Sequence, residues 1–327
     1  MGMRWVVRGL LAALLLGVVS AAGAAGRSAD GVGAACRGAA AAPAATYRHV
    51  IWIWMENHAY DAALAASDAP FTNRLAAQCG LATNYHNITH PSLPNYIAAT
   101  SGGTQGISDD CEPRQCSRAA QSLFGQVAKA GMTWAAYQES MPSPCDLAAG
   151  AGTNPSGEYA PKHDPAAYYL PLRSSCAQRV LPLGSPSSGA LARALKSRSL
   201  ARFTFITPNL CNDTHDCPVS TGDAWLSRWV RKIVASPTYR RERTAIFITW
   251  DEGEGGGSDD CAANTSDAGC HVATLIVSPS IRRGARSAAL FNHYSLLRTT
   301  EQLLGITTFL GHAGDAGTRS MRAPFHL

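Results

Sequence analysis

Four stretches carry almost no charge and are dense in β-branched and aromatic residues. They are His49–Met55 (HVIWIWM), Arg202–Thr207 (RFTFIT), Thr244–Trp250 (TAIFITW) and Val272–Ser278 (VATLIVS). Continuous apolar runs of this length predict strands buried on both faces, as in a parallel sheet. Met132–Tyr137 predicts a further strand. Between the strands the pattern predicts helices over Pro70–Cys79, Ser117–Ala130, Ala190–Ser197 and Trp225–Ala235, the last amphipathic with Asp223 as its candidate cap. Asn292-His293 precedes a helix running through Leu304, and residues 138–185 form a long irregular stretch. Strands alternating with helices predict an α/β fold with a mostly parallel central sheet flanked by helices.

Polar residues gather where the predicted strands end. Glu56-Asn57 follow the first strand, and Asp251-Glu252 follow Trp250. Asn209 and the loop Cys211–Cys217, with Asp213, His215 and Asp216, follow Thr207. In a parallel sheet these ends share one edge, where open α/β folds place ligands. A second focus is Ile88–Gly102 (ITHPSLPNYIAATSG), which sets Ser92 between Pro91 and Pro94 just before a predicted helix start. The prolines restrict the bend, and a helix N-terminus favours an anion there, which suits a nucleophilic hydroxyl. Asn95 is expected to hold the turn through side-chain-to-backbone bonds, with His90 behind the site.

Composition narrows the picture. The 327 residues are 46% hydrophobic and 16% charged, with a net charge of +5 from scattered cations. No basic stripe is interleaved with aromatics, so nucleic acid is not an expected partner. Arg4 and Arg8, the apolar run Leu10–Val19 and Ala22-Gly23-Ala24 read as a signal peptide over residues 1–24, so the protein is expected to be secreted. Residues 25–46 read as a flexible lead-in and 47–327 as one domain. No transmembrane anchor is expected in the mature protein, and a monomer is expected. Ten cysteines in an exported chain imply disulfides. Spacing suggests Cys111 with Cys116, Cys145 with Cys176, Cys211 with Cys217 and Cys261 with Cys270, leaving Cys36 with Cys79. A cysteine zinc site is the rival, weakened by the lack of any C-x-x-C pair.

Glu56, Asn57, Asp251 and Glu252 offer oxygen donors suited to a divalent cation, with Ser92 completing the shell. His163, His215, His271 and His293 either hold phosphate oxygens, protonate a leaving group, or bind a second metal with Asp213 or Asp216. No G-x-S-x-G elbow, P-loop or strand-linked GxGxxG is present, which argues against an esterase triad and nucleotide-cofactor chemistry.

The ordered segments MENHAYD (55–61), THPSLPNY (89–96), YAPKHDP (159–165), FITPNLCNDTHDC (205–217), TWDEGEG (249–255) and NHYSLLRTTEQLLGI (292–306) resemble the phosphoesterase family of the alkaline phosphatase superfamily. That family holds acid phosphatases and phospholipases C, and the chain looks most similar to its secreted actinobacterial, mycobacterial-type acid phosphatases. The resemblance implies an alkaline-phosphatase-like core carrying disulfide-bearing loop insertions. It implies phosphoryl transfer assisted by a divalent metal (Ca, Mg, Mn or Zn) through a phosphoserine at Ser92. Glu56, Asn57, Asp251 and Glu252 would be metal ligands, while His163, His215 and Asp216 would line the phosphate pocket. Asn209, Asp213, His271 and His293 complete the expected substrate-binding set. His58 and Ala59 replace the Arg-Ser common in relatives, and Asp164 stands where Asn is frequent; these departures are expected to alter specificity more than reaction class. The expected substrate is a phosphate monoester, including phosphoinositides, with a phospholipase C-type diesterase as the alternative. The chain carries no obvious C-terminal lipid-binding segment, which favours the monoesterase.

Overall fold

A computed structural model describes residues 1–3, 35–38, 46–64, 67–148, 158–254, 260–262 and 264–327. The expected leader core and its cleavage site, and most of the lead-in, lie outside the described residues. Among the described residues ten strands are present: β1 His49–Met55, β2 Gly80–Ala82, β3 Tyr85–His86, β4 Trp134–Gln138, β5 Val180–Pro182, β6 Phe203–Thr207, β7 Thr244–Trp250, β8 Thr274–Val277, β9 Arg286–Ser287 and β10 Phe291–Asn292. Eight of them form one sheet in the order β5-β4-β6-β1-β7-β8-β2-β9, and β10 pairs with β3 separately. The neighbours from β5 to β7 are parallel, and β8 runs antiparallel to both β7 and β2. The architecture is the mostly parallel α/β sheet that the apolar runs predict.

The central strand explains itself chemically. Every residue of β1 is buried, and Trp52 and Trp54 have no exposed surface. Trp52 packs edge-on against Phe203 of β6, and its indole N–H donates to Thr300 Oγ1 at 2.9 Å, so the ring is buried without an orphaned donor. Met55 pairs with Trp250 at the ends of β1 and β7. The residues that follow, Glu56 and Asp251, therefore emerge side by side. The backbone continues the match: Asp251 N donates to Met55 O at 3.0 Å, and Glu56 N donates to Asp213 O at 2.9 Å.

Two expected boundaries are corrected. The helix expected over 117–130 begins at Leu123. Ser122 caps it by accepting from Gly125 N at 3.2 Å. Residue 118 is instead tied to the irregular stretch, through Arg118 N to Tyr168 O and Leu170 N to Arg118 O. The helix expected from Trp225 begins at Val219, just after Pro218, so Asp223 lies inside it. Its carboxylate instead caps another helix, Pro70–Gln78, accepting from Phe71 N (3.0 Å), Thr72 N (2.6 Å) and Thr72 Oγ1 (2.7 Å). An Asp223→Ala variant leaves these buried donors without an acceptor, at about 1–3 kcal/mol each. We expect about 3 kcal/mol lower stability, read as a melting temperature about 5 °C lower. A melt within 1 °C of the parent would show that the cap is dispensable.

The cysteines pair as their spacing suggests: Cys36–Cys79, Cys111–Cys116, Cys145–Cys176, Cys211–Cys217 and Cys261–Cys270. No free thiol remains for a cysteine zinc site. Among the described residues no helix is long and apolar enough to cross a membrane.

Candidate active site

Glu56 and Asn57 leave the end of β1, Asp251 and Glu252 leave the end of β7, and the disulfide-closed loop after β6 supplies Asp213 and His215. Across from these ends, the helix Ser92–Ser101 starts at Ser92 itself. The turn before it is held by Asn95, whose Oδ1 accepts from Ile88 N (2.9 Å) and Thr89 N (3.1 Å) while its amide donates to Thr89 O and Pro91 O. The side chain thus serves the turn, as its chemistry predicts.

Ser92 Oγ, 1% exposed, lies 3.1 Å from Glu56 Oε2, 3.2 Å from Glu252 Oε1 and 3.5 Å from Asn57 Oδ1. Asn57 sits at φ 45°, a left-handed conformation that Asn tolerates better than most residues. Asp251 reaches back to it, with Asn57 N donating to Asp251 Oδ1 at 3.1 Å. In the opposite amide orientation, which suits the acids when no cation is bound, the Asn57 nitrogen donates to Glu252 Oε1 (3.2 Å) and Glu56 Oε2 (3.3 Å); with Oδ1 facing Ser92 the side chain offers an oxygen donor.

The acids are crowded and dry. Burial, then the neighbouring Asp251 and Asp213 charges, push the Glu56 carboxyl well above the usual carboxylate range. Burial and then Glu252 push Asp251 up to about 8, and burial raises Asp213 well above its ordinary value. Asp251 Oδ2 and Asp213 Oδ2 have no hydrogen-bond partner. Uncompensated buried carboxylates are costly, and a bound cation inverts that cost. The donor set Glu56, Asn57, Asp251, Glu252 and Ser92, all oxygen, therefore fits a hard or borderline divalent cation. Glu56, His163 and His215 also bring one donor atom each within 4.8 Å of one another, which adds nitrogen donors at one end.

His163 stands within the cluster, with Nε2 3.2 Å from Glu56 Oε1 and Nδ1 3.3 Å from Asp213 Oδ2. Neither approach is aligned as a hydrogen bond. Burial is the main reason its imidazole titrates well below 6.5. His215 donates its backbone N–H to Asp213 Oδ1 (2.8 Å), and its Nδ1 lies 2.6 Å from Asp216 Oδ1. Asp216, with 56% of its side chain exposed, sits at the rim.

Three expected substrate-binding residues are not brought to this cluster. The Asn209 amide donates to Ser140 Oγ and Glu158 Oε2, both at 3.0 Å, and its oxygen accepts from Asn212 N, so it ties down the loop. His271 points to Thr83 O at 3.2 Å and stacks between Tyr60 and His86. His293 is buried with a pKa lowered to about 4, chiefly by desolvation. As a neutral ring it donates Nε2–H to Asp251 O (2.7 Å) and accepts from Tyr85 OH at Nδ1 (3.0 Å), a tautomer set by these partners. It steadies the Asp251 backbone.

One participant was not singled out from sequence, and another stands where it was expected. Tyr96 donates its hydroxyl to Glu56 Oε1 and stacks on His163 at 5.4 Å. Its signal was present: Tyr96 lies four residues after Ser92, one helical turn away on the same face. His90, expected behind the site, places Nδ1 2.5 Å from Glu252 Oε2, and so braces the carboxylate that touches Ser92.

The model of the Phosphoesterase family matches residues 62–307. The chain belongs to the Phosphoesterase family. This phosphoesterase is 29% identical over 279 residues to a phosphatidylinositol-3-phosphatase of Mycobacterium tuberculosis, covering 85% of this chain and 84% of that protein. It is 27% identical over 260 residues to an acid phosphatase of Aspergillus fumigatus, covering 78% of this chain but 54% of the fungal protein. Among solved structures it resembles a protein in the alkaline phosphatase superfamily from Vibrio parahaemolyticus, with TM-score 0.53, 10% identity, 84% of this chain and 72% of that one covered. That likeness concerns the fold. As a member of the family the protein is a phosphoric ester hydrolase.

Proposed function

We propose that this phosphoesterase is an exported, metal-dependent phosphomonoesterase working through a phosphoserine at Ser92. The observation that carries the reading is Ser92 Oγ, buried and held within 3.2 Å of Glu56 and Glu252 at the meeting of two strand ends. Export is supported by the leader pattern and by the disulfides, which persist in oxidising compartments. Glu56, Asn57, Asp251 and Glu252 would hold a divalent cation, which when bound lowers the pKa of the serine hydroxyl and offsets phosphoryl charge. The chain's own groups do the rest. Ser92 Oγ passes its proton to Glu56 Oε2, which accepts from it at 3.1 Å, and bonds to phosphorus as the bond from phosphorus to the alcohol oxygen breaks. His215, oriented through Nδ1 by Asp216, gives the departing oxygen a proton from Nε2. Water then attacks the phosphoserine, giving a proton to His215, which had lost one to the leaving alcohol; inorganic phosphate is released and Glu56 returns its proton to Ser92 Oγ. Tyr96 and His90 keep Glu56 and Glu252 in position while the charge at Ser92 changes.

The names of the relatives support monoesters as substrates and make phosphoinositide headgroups one class to assay. The deciding comparison is p-nitrophenyl phosphate against p-nitrophenyl phosphorylcholine. At least about tenfold higher kcat/KM on the monoester is expected, a transition-state preference of about 1.4 kcal/mol. Faster turnover of the choline ester would overturn the monoesterase reading in favour of a phospholipase C-type diesterase.

A further inference from the structure

Four carboxyl groups surround the nucleophile: Glu56 and Glu252 against Ser92, with Asp213 and Asp251 behind them. A phosphate monoester near neutral pH carries close to two negative charges, whereas a diester carries one. An acid-lined site therefore disfavours the monoester more, unless a cation is placed to meet the extra charge. Lys162 is so placed. It lies in the short turn Pro161–His163, next to the imidazole that touches Glu56 and Asp213. Its ammonium donates to Asp110 Oδ2 at 2.8 Å, and the other oxygen of Asp110 accepts from Leu93 N at 2.9 Å. Leu93 is the residue after Ser92, so Asp110 fastens the ammonium to the nucleophile's own turn. The charge acts on Glu56 and Asp213 across the cluster. Where His163 is buried, the Lys162 side chain keeps 23% of its surface exposed. An ammonium has three N–H donors, and the Asp110 bond takes one of them.

We infer that Lys162 is a specificity-determining residue that donates to a non-bridging phosphoryl oxygen and makes the site select dianionic monoesters over monoanionic diesters. The inference rests on the monoesterase reading and deepens it. Its rival is a purely structural ion pair with Asp110, whose loss would affect every substrate alike.

The test uses the full-length mature enzyme and its Lys162→Met and Lys162→Arg variants. Each is assayed on p-nitrophenyl phosphate and bis(p-nitrophenyl) phosphate, with inhibition by inorganic phosphate measured alongside. Lys162→Met is expected to lower kcat/KM on the monoester about 100-fold, on the scale of removing one charge-stabilising donor. The diester should lose less than about fivefold, and the Ki of phosphate should rise about tenfold or more. Lys162→Arg, which keeps the charge, should hold the phosphate Ki within about threefold of the parent. If Lys162→Met does not fold, Lys162→Gln carries the same expectations. If diester turnover is below detection, the phosphate Ki decides. Equal losses on both substrates, or a phosphate Ki unchanged within twofold, would overturn the inference. Failure of the monoesterase reading is distinct: there the parent enzyme itself prefers the choline ester, whatever Lys162 does.

Discussion

Replacement of Ser92 by alanine is expected to lower kcat on p-nitrophenyl phosphate by at least about 10³-fold with the fold retained. The substitution removes one oxygen from a site where that oxygen touches only acids and Asn57. No backbone hydrogen bond or apolar packing depends on it, so the melting temperature should stay within a few degrees. A loss of rate without a loss of fold separates a nucleophile from a structural serine. Rapid acid quench with ³²P-labelled substrate gives the second readout: label should be trapped on Ser92 in the parent and on no residue in the variant. Unchanged turnover, or label trapped equally in both, would remove Ser92 from the nucleophilic role and with it the phosphoserine route.

Chelation of divalent cations is expected to abolish turnover and to make stability depend on pH in a particular sense. Without a cation, Asp251 has a folded-state pKa near 8 against an ordinary value of 3.8, from burial and the Glu252 charge, and Glu56 and Asp213 are raised in the same direction. A carboxyl whose pKa is raised by folding binds its proton more tightly when folded. Its contribution is therefore fully present below the unfolded pKa near 4 and is lost as pH rises through the folded pKa. The chelated protein should lose at least about 5 °C of melting temperature between pH 5 and pH 9. Returning Mn²⁺ or Zn²⁺ should restore activity, raise the melt and release protons, since ligands must be deprotonated to bind. Full activity after exhaustive chelation would end the metal-dependent reading. A melt that rises from pH 5 to pH 9 without metal would contradict the crowded-acid description.

Much of this was legible along the chain because it is local. An uncharged β-branched and aromatic run is a buried strand wherever it falls, so β1, β6 and β7 were readable to within a residue or so. Acids placed directly after such runs must emerge at the sheet edge, which is why Glu56, Asn57, Asp251 and Glu252 converge. Asn95 was readable because its partners, Ile88 to Pro91, lie within seven residues.

What was not legible along the chain has the opposite property. Asp223 looked like the cap of its own helix, yet its donors are Phe71 and Thr72, some 150 residues away. His271 and His293 resembled phosphate ligands by residue type. Tertiary packing turned one into a ring stack with Tyr60 and the other into a buried neutral support for the Asp251 carbonyl. A histidine's role follows from what packs around it, and residue type alone leaves ligand, base and prop equally open.

The sequence by itself thus determined the strands, the acids at their ends, the proline-framed hydroxyl and the cysteine spacings that match the observed pairs. Each of these follows from periodicity or spacing within a few residues. Only the tertiary structure decided that Ser92 faces Glu56 and Glu252, that Tyr96 and His90 brace those acids, and that Lys162 is tied through Asp110 to the turn at Ser92. Those contacts depend on sheet order and register, which bring together side chains far apart in the chain and which no local pattern encodes.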